Sequence, residues 1–125
     1  MAKGLDALLG AQLEVTDEVY IPRLKAKLTV KSLTNAELER VRLQATVGKN
    51  RELNDDLYNN LIIVQGCVDP DFSNKALLAH YGATDAADCV HKAILPGERA
   101  KLIGKILDLS GFGADEEEEL EEAKN

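Results

Sequence analysis

The chain has 125 residues, 45 % of them apolar but only 4 % aromatic, and a formal net charge of −7. That length suits one domain with a modest core of Leu, Ile, Val and Ala. Seven of the 22 acids crowd into residues 115–122, so residues 1–112 set 15 acids against 14 Lys and Arg. A near-neutral body of this kind lacks the clustered basic surface that replaces phosphate counterions, which argues against nucleic acid as a partner.

No apolar run reaches 18 residues, so no membrane-spanning helix is expected, and the N-terminus has no basic segment leading into a long apolar one. Two cysteines are too few for a disulfide framework. The cytoplasm is the expected compartment.

Residues 3–12 suggest a short helix through Leu5, Leu8 and Leu9 towards Leu13, weakened by Gly4 and Gly10. The period then changes. Leu24, Ala26, Leu28 and Val30 alternate with Arg23, Lys25, Lys27, Thr29 and Lys31, a half-buried strand pattern that Pro22 precedes. A lone strand is not stable, so this segment (19–31 at its widest) requires a partner, either residues 14–21 as a hairpin or another chain.

Thr34 and Glu37 have capping-box spacing, Leu33 and Leu38 stand at staple positions, and Leu38, Val41 and Ala45 continue an apolar stripe that Gly48 ends. Residues 49–52 read as a polar linker. Asn54 caps the next helix, with Asp55 and Asp56 at its positive end and Leu57, Leu61, Ile62 and Val64 inward. Residues 68–72 read as a turn, because Pro70 disfavours helix at Asp69. Ser73 is the expected cap of a third helix, stapled by Phe72 and Leu77 and stopped at Gly82. Thr84 is the expected cap of a fourth, carrying Ala87, Val90 and Ile94. Pro96 opens a fifth, with Leu102, Ile103, Ile106, Leu107 and Leu109 as its stripe and Gly111 letting Phe112 fold back on Leu107. The fold class is therefore mainly α: a compact bundle of about five short helices, a short N-terminal strand or hairpin segment, and a disordered acidic C-terminal tail.

No catalytic constellation emerges. Cys67, His80, Cys89 and His91 lack both C-x2-C and H-x3-H spacing, so no metal site is expected. Cys89 beside Asp88 lacks the electropositive setting of a nucleophile. Glu37, Asp55, Asp56, Asp85 and Glu98 all fall at helix starts, where capping accounts for them. The glycines form no phosphate-cradling loop, and no cofactor is expected. The acidic run reads first as a solvating tail, with nucleic-acid mimicry or a lure for a basic partner as alternatives; the bases Arg23, Lys25, Lys27 and Lys31 could receive it in cis.

The order of these boundary motifs resembles a known family. A basic alternating segment leads to Leu33, Thr34 and Glu37; then come the Val68, Asp69, Pro70, Asp71, Phe72 run, a Tyr81, Gly82 stop, and Leu95, Pro96, Gly97, Glu98. Leu109, Ser110, Gly111, Phe112, the acidic tail and a terminal Ala123, Lys124, Asn125 complete it. This is similar to the tail assembly chaperones of long-tailed phages and defective prophages, in the XkdN-like branch.

The resemblance implies a non-enzymatic chaperone in the cytoplasm of the bacterial host, absent from the mature virion. It implies binding to the tape measure protein and recruitment of the major tail (tube) protein, while self-association stays open. Residues 1–112 would be the helical chaperone domain and 113–125 its tail. The resemblance assigns no catalytic, cofactor, metal or partner-binding residue. It also implies two product lengths through programmed frameshifting; Ala123, Lys124 and Asn125 could be encoded GCA AAA AAC, which contains the slippery heptamer A AAA AAC. A small helical regulatory adaptor, its acidic tail binding a basic protein or mimicking nucleic acid, is the alternative from another class.

Overall fold

The computed structural model describes residues 3–112. In chain order the elements are α1 (Gly4–Gly10), β1 (Thr16–Ile21), a 3-10 turn (Pro22–Leu24), β2 (Ala26–Lys31), α2 (Asn35–Gln44), β3 (Thr46–Val47) and β4 (Glu52–Leu53). They continue with α3 (Asp55–Gly66), β5 (Cys67–Asp69), α4 (Lys75–Tyr81), α5 (Ala86–Ala93) and α6 (Pro96–Leu109). The mainly α expectation is thereby corrected. Among the described residues, six helices stand beside a three-stranded antiparallel sheet in the order β1-β2-β5 and a two-stranded sheet β3-β4, which makes the fold mixed α/β. The expected acidic tail, residues 113–125, lies outside the described residues.

The strand segment 19–31 turns out to be a hairpin, with residues from 16 onward as the partner strand. Pro22 starts a 3-10 turn and Lys25 takes a left-handed conformation at φ 52°, which reverses the chain. Val19 then faces Leu28, Tyr20 faces Lys27 and Ile21 faces Ala26. The alternation survives only past the turn: Leu28 and Val30 are buried, whereas Leu24 and Ala26 are exposed.

The third strand comes from residues read as a turn. Cys67 pairs with Val30 and Asp69 with Thr29, leaving Val68 as an extra residue in a bulge. Three residues ahead of a proline show no period, so the sequence pattern could not reveal a strand there. For the same reason β3 and β4, two residues each, fell in and beside the expected linker; Ala45 ends α2 and Gly48 sits at the hairpin tip with φ 85°.

One sheet face forms one wall of the core. Val19, Ile21, Leu28, Val30 and Cys67 cluster with Ile62 and Ile63 of α3, Cys89 and Val90 of α5, and Leu102 and Ile106 of α6. Glycine is required at Gly66, where a Cβ would stand 2.7 Å from Cδ1 of Ile106 and 2.9 Å from its Cγ1 and Cγ2. The α3 stripe accordingly differs from expectation: Asn60, Ile62, Ile63 and Gly66 are its buried residues, while Leu61 and Val64 are half-buried.

Helix ends follow the expected chemistry, twice with the cap displaced by one residue. Thr34 and Glu37 form the full capping box, and Asn54 accepts from the Leu57 N–H. Asn74, not Ser73, caps α4, accepting from the Ala76 and Leu77 N–H groups, while the Ser73 hydroxyl donates to Asp71. Asp85, not Thr84, caps α5, and the Thr84 N–H donates to Asp88. Ser73 and Asn74 are equally competent acceptors by type, whereas Asp85 is a better cap than Thr84. After α6, Phe112 N–H donates to the Leu107 carbonyl and Gly111 N–H to that of Asp108, completing the Schellman motif with Gly111 at φ 97°.

Candidate partner-binding surface

The side chains with metal or nucleophile potential do not assemble. Cys67 and Cys89 are buried free thiols, while His80 and His91 are exposed, His80 standing edge-on to Tyr81 with ring centroids 4.8 Å apart. Burial, with nearby Asp69, pushes the Cys67 thiol up to about 12, and burial with Asp88 raises that of Cys89. Both stay protonated and inert near neutral pH. Among the described residues no three His, Cys, Asp or Glu side chains converge as a metal site.

The carboxylates at helix starts hold structure together. The Glu98 carboxylate accepts two bonds of 2.8 Å from Arg23, which also donates to the Ala93 carbonyl at 3.0 Å, clamping the hairpin turn onto the α5–α6 corner. Leu95 has no acceptor side chain, so Glu98 supplies the other half of that cap by accepting from the Leu95 N–H. Lys31 pairs with Glu37 at 2.9 Å and reaches Glu14 at 3.7 Å. Two of the four bases expected to form one basic face are thus committed to local acids.

Apolar side chains are exposed at several points of the described residues, and most heavily at two places. The first is an N-terminal arm. No residue of α1 is buried, and Leu5, Leu8, Leu9 and Leu13 are 70–79 % exposed. Leu5, Leu8 and Leu9 share one helix face at i, i+3 and i+4. The arm's base is fixed: the Ser32 hydroxyl donates to the Leu13 carbonyl at 2.6 Å and accepts from the Val15 N–H at 2.9 Å.

The second place is a groove of about 670 Å³ between α2, the β3-β4 hairpin and the start of α3. Leu38, Leu43 and Tyr58 supply its apolar lining, with Arg42, Arg51 and Glu39 among the polar residues around them. Leu43 is 68 % exposed, and Val47 and Leu53 of the adjoining hairpin are also exposed. The hairpin is held in place by backbone: Asn54 N–H donates to the Ala45 carbonyl at 2.8 Å, and the Thr46 hydroxyl to that of Arg42 at 2.8 Å. Leu43 was not singled out in the sequence because it lies off the α2 core stripe. An apolar residue off the stripe was the available signal.

Exposed apolar side chains beside a charged groove are the kind of surface on which other chains dock. The family described as phage XkdN-like tail assembly chaperone protein matches residues 5–124. The chain belongs to that family.

Membership gives this chain a non-enzymatic role in phage tail assembly, with phage tail components as its partners. It is similar to protein XkdN of the phage-like element PBSX of Bacillus subtilis strain 168, being 27 % identical over 108 residues that cover 84 % of this chain and 73 % of that protein. It is also similar to the crystal structure of the protein YqbN, with a TM-score of 0.73 and 20 % identity over 90 % of this chain and all of that one. The second likeness is one of fold. No helix among the described residues is long and apolar enough to cross a membrane.

Proposed function

We propose that this tail assembly chaperone binds the tape measure protein of its phage or prophage in the host cytoplasm and recruits tail-tube subunits to it, leaving before the virion is complete. The tape measure and tube proteins are the partners that the family resemblance implies. The observation that carries the binding mode is the uncovered groove of Leu38, Leu43 and Tyr58. A tape measure is a long helical chain, and an amphipathic helix laid in a hydrophobic groove is how such chains are held.

The test is co-expression with the tape measure and major tail proteins followed by affinity capture of the chaperone. The tape measure should co-purify, and Leu43→Asp should weaken the complex by at least about tenfold, the loss expected when an exposed anchor is replaced by a charge. Absence of both proteins from the captured complex would sink the proposal. The family assignment over residues 5–124 favours this reading over the regulatory-adaptor alternative. A longer frameshifted product remains part of the proposal; synonymous recoding of codons 123–125 should abolish it.

A further inference from the structure

We infer that the α1 arm of one copy docks in the α2–hairpin groove of a second copy, and that the exchange is reciprocal, closing a two-fold dimer. Each chain carries one bare apolar arm and one open groove in which Leu38, Leu43 and Tyr58 stand among charged side chains, and no described residue of its own body covers either. Ser32 pins the arm's base at Leu13 and Val15, leaving Ala11 and Gln12 as the only slack between that anchor and the end of α1.

The sizes match. Four leucines exposed by three-quarters present on the order of 400 Å² of apolar surface. Leu43, Val47 and Leu53, exposed at the groove and its hairpin wall, add to this, so a reciprocal exchange hides on the order of 600 Å² per chain, towards the lower end of stable interfaces. A single arm in a single groove would hide half as much and leave the other pair open.

The charges match as well. Asp6 flanks the leucine stripe on α1, while Arg42 and Arg51 line the groove, and no ion pair among the described residues uses either guanidinium. Only a reciprocal exchange closes on itself as an isologous pair; a one-way exchange would continue from chain to chain.

The inference rests on the groove being a helix-binding surface, as in the proposed function, and adds that the chaperone covers it with its own arm until a client helix displaces that arm. Binding of the tape measure is then coupled to dimer dissociation, since one surface cannot hold both.

The experiment mixes two full-length variants, Leu8→Cys and Leu43→Cys, under mild oxidation. The native cysteines are buried and do not compete. A disulfide-linked dimer holding one chain of each kind is expected, with light scattering giving twice the 13.6 kDa chain mass for the parent. Leu8→Asp should weaken the dimer at least tenfold without moving the urea midpoint of the monomer, because Leu8 touches nothing in its own chain's core.

Three results would overturn the inference: a parent that stays monomeric to about 100 μM, weaker than an interface of this area supports; cross-links only between two Leu8→Cys chains, which would mean arm against arm; or closure within one chain carrying both substitutions. None of these would touch the tape measure reading, which stands or falls on the Leu43→Asp co-purification.

Discussion

Glu37 joins three elements, and its replacement by Gln tests whether that junction holds the sheet to the helices. The carboxylate accepts from the Thr34 N–H at 3.0 Å, from the Lys31 ammonium at 2.9 Å and from the Gln65 amide at 2.9 Å, so it ties β2 to the start of α2 and to α3. Its side chain is 16 % exposed. Burial by itself would raise its pKa; the Thr34 N–H, Lys31 and Gln65 outweigh that and hold it at about 2, against an ordinary 4.5.

A depressed folded-state pKa means that the stabilisation is fully present above about 4.5 and is lost as pH falls through about 2. At face value the shift is worth about 3 kcal/mol at neutral pH. Water reaches the Lys31 side of the pair, and screening reduces the expected figure to about 1–2 kcal/mol. Glu37→Gln keeps an acceptor for Thr34 but loses the charge that faces Lys31. Urea unfolding of parent and variant from pH 7 down to about 2.5 should therefore show a gap of about 1–2 kcal/mol above pH 5 that shrinks steadily below it. Taking the difference removes the other acids with lowered pKa values, Asp17, Asp71, Asp88 and Glu98, which titrate in both proteins. A gap within error at pH 7, or one that persists unchanged to pH 2.5, would refute the reasoning.

Two further tests address the core. Gly66→Ala places a methyl under 3 Å from the Ile106 side chain and should cost about 1–3 kcal/mol, with Ile106→Val in the same chain recovering part of it; a neutral Gly66→Ala would show that α3 and α6 are not closely apposed. Neither cysteine should react with a thiol reagent at pH 8 in the folded protein, and both should react in urea, because Cys67 is held near 12 and Cys89 is raised by burial. Rapid labelling of the native chain would contradict the burial of either.

The two kinds of secondary structure were unequally legible. Helices longer than two turns announced themselves through caps and stripes: Thr34 with Glu37, Asn54, and Pro96 with Gly111 all mark real ends. The hairpin was half visible, since Leu28 and Val30 alternate as buried strand residues do. Its turn was not. Arg23 and Lys25 continue the alternation on paper, yet Pro22 starts a tight turn and Lys25 adopts a positive φ. Nothing about a lysine in isolation marks a left-handed residue, because its conformation is imposed by the strand pairing on either side.

The candidate site was less legible still. The leucines of α1 were visible as a helix face, but only the fold shows that no body surface covers them. Leu43 looked like an ordinary residue of α2 until the β3-β4 hairpin supplied the other wall of a groove.

By itself, the sequence determined the starts of α2, α3 and α6, the strand character of residues 28–31, and the ordered motifs that resemble the tail assembly chaperones. These are local properties, set by caps, turns and side-chain period within a few residues. The tertiary structure alone decided that residues 67–69 complete a sheet, that Gly66 must be small, and that apolar surface is left open on α1 and beside Leu43. Each depends on a neighbour far along the chain: Val30 across from Cys67, Ile106 against Gly66, the hairpin beside α2. Local pattern carries no record of such neighbours, because the energy that selects them is the burial and pairing gained only when the whole chain has folded.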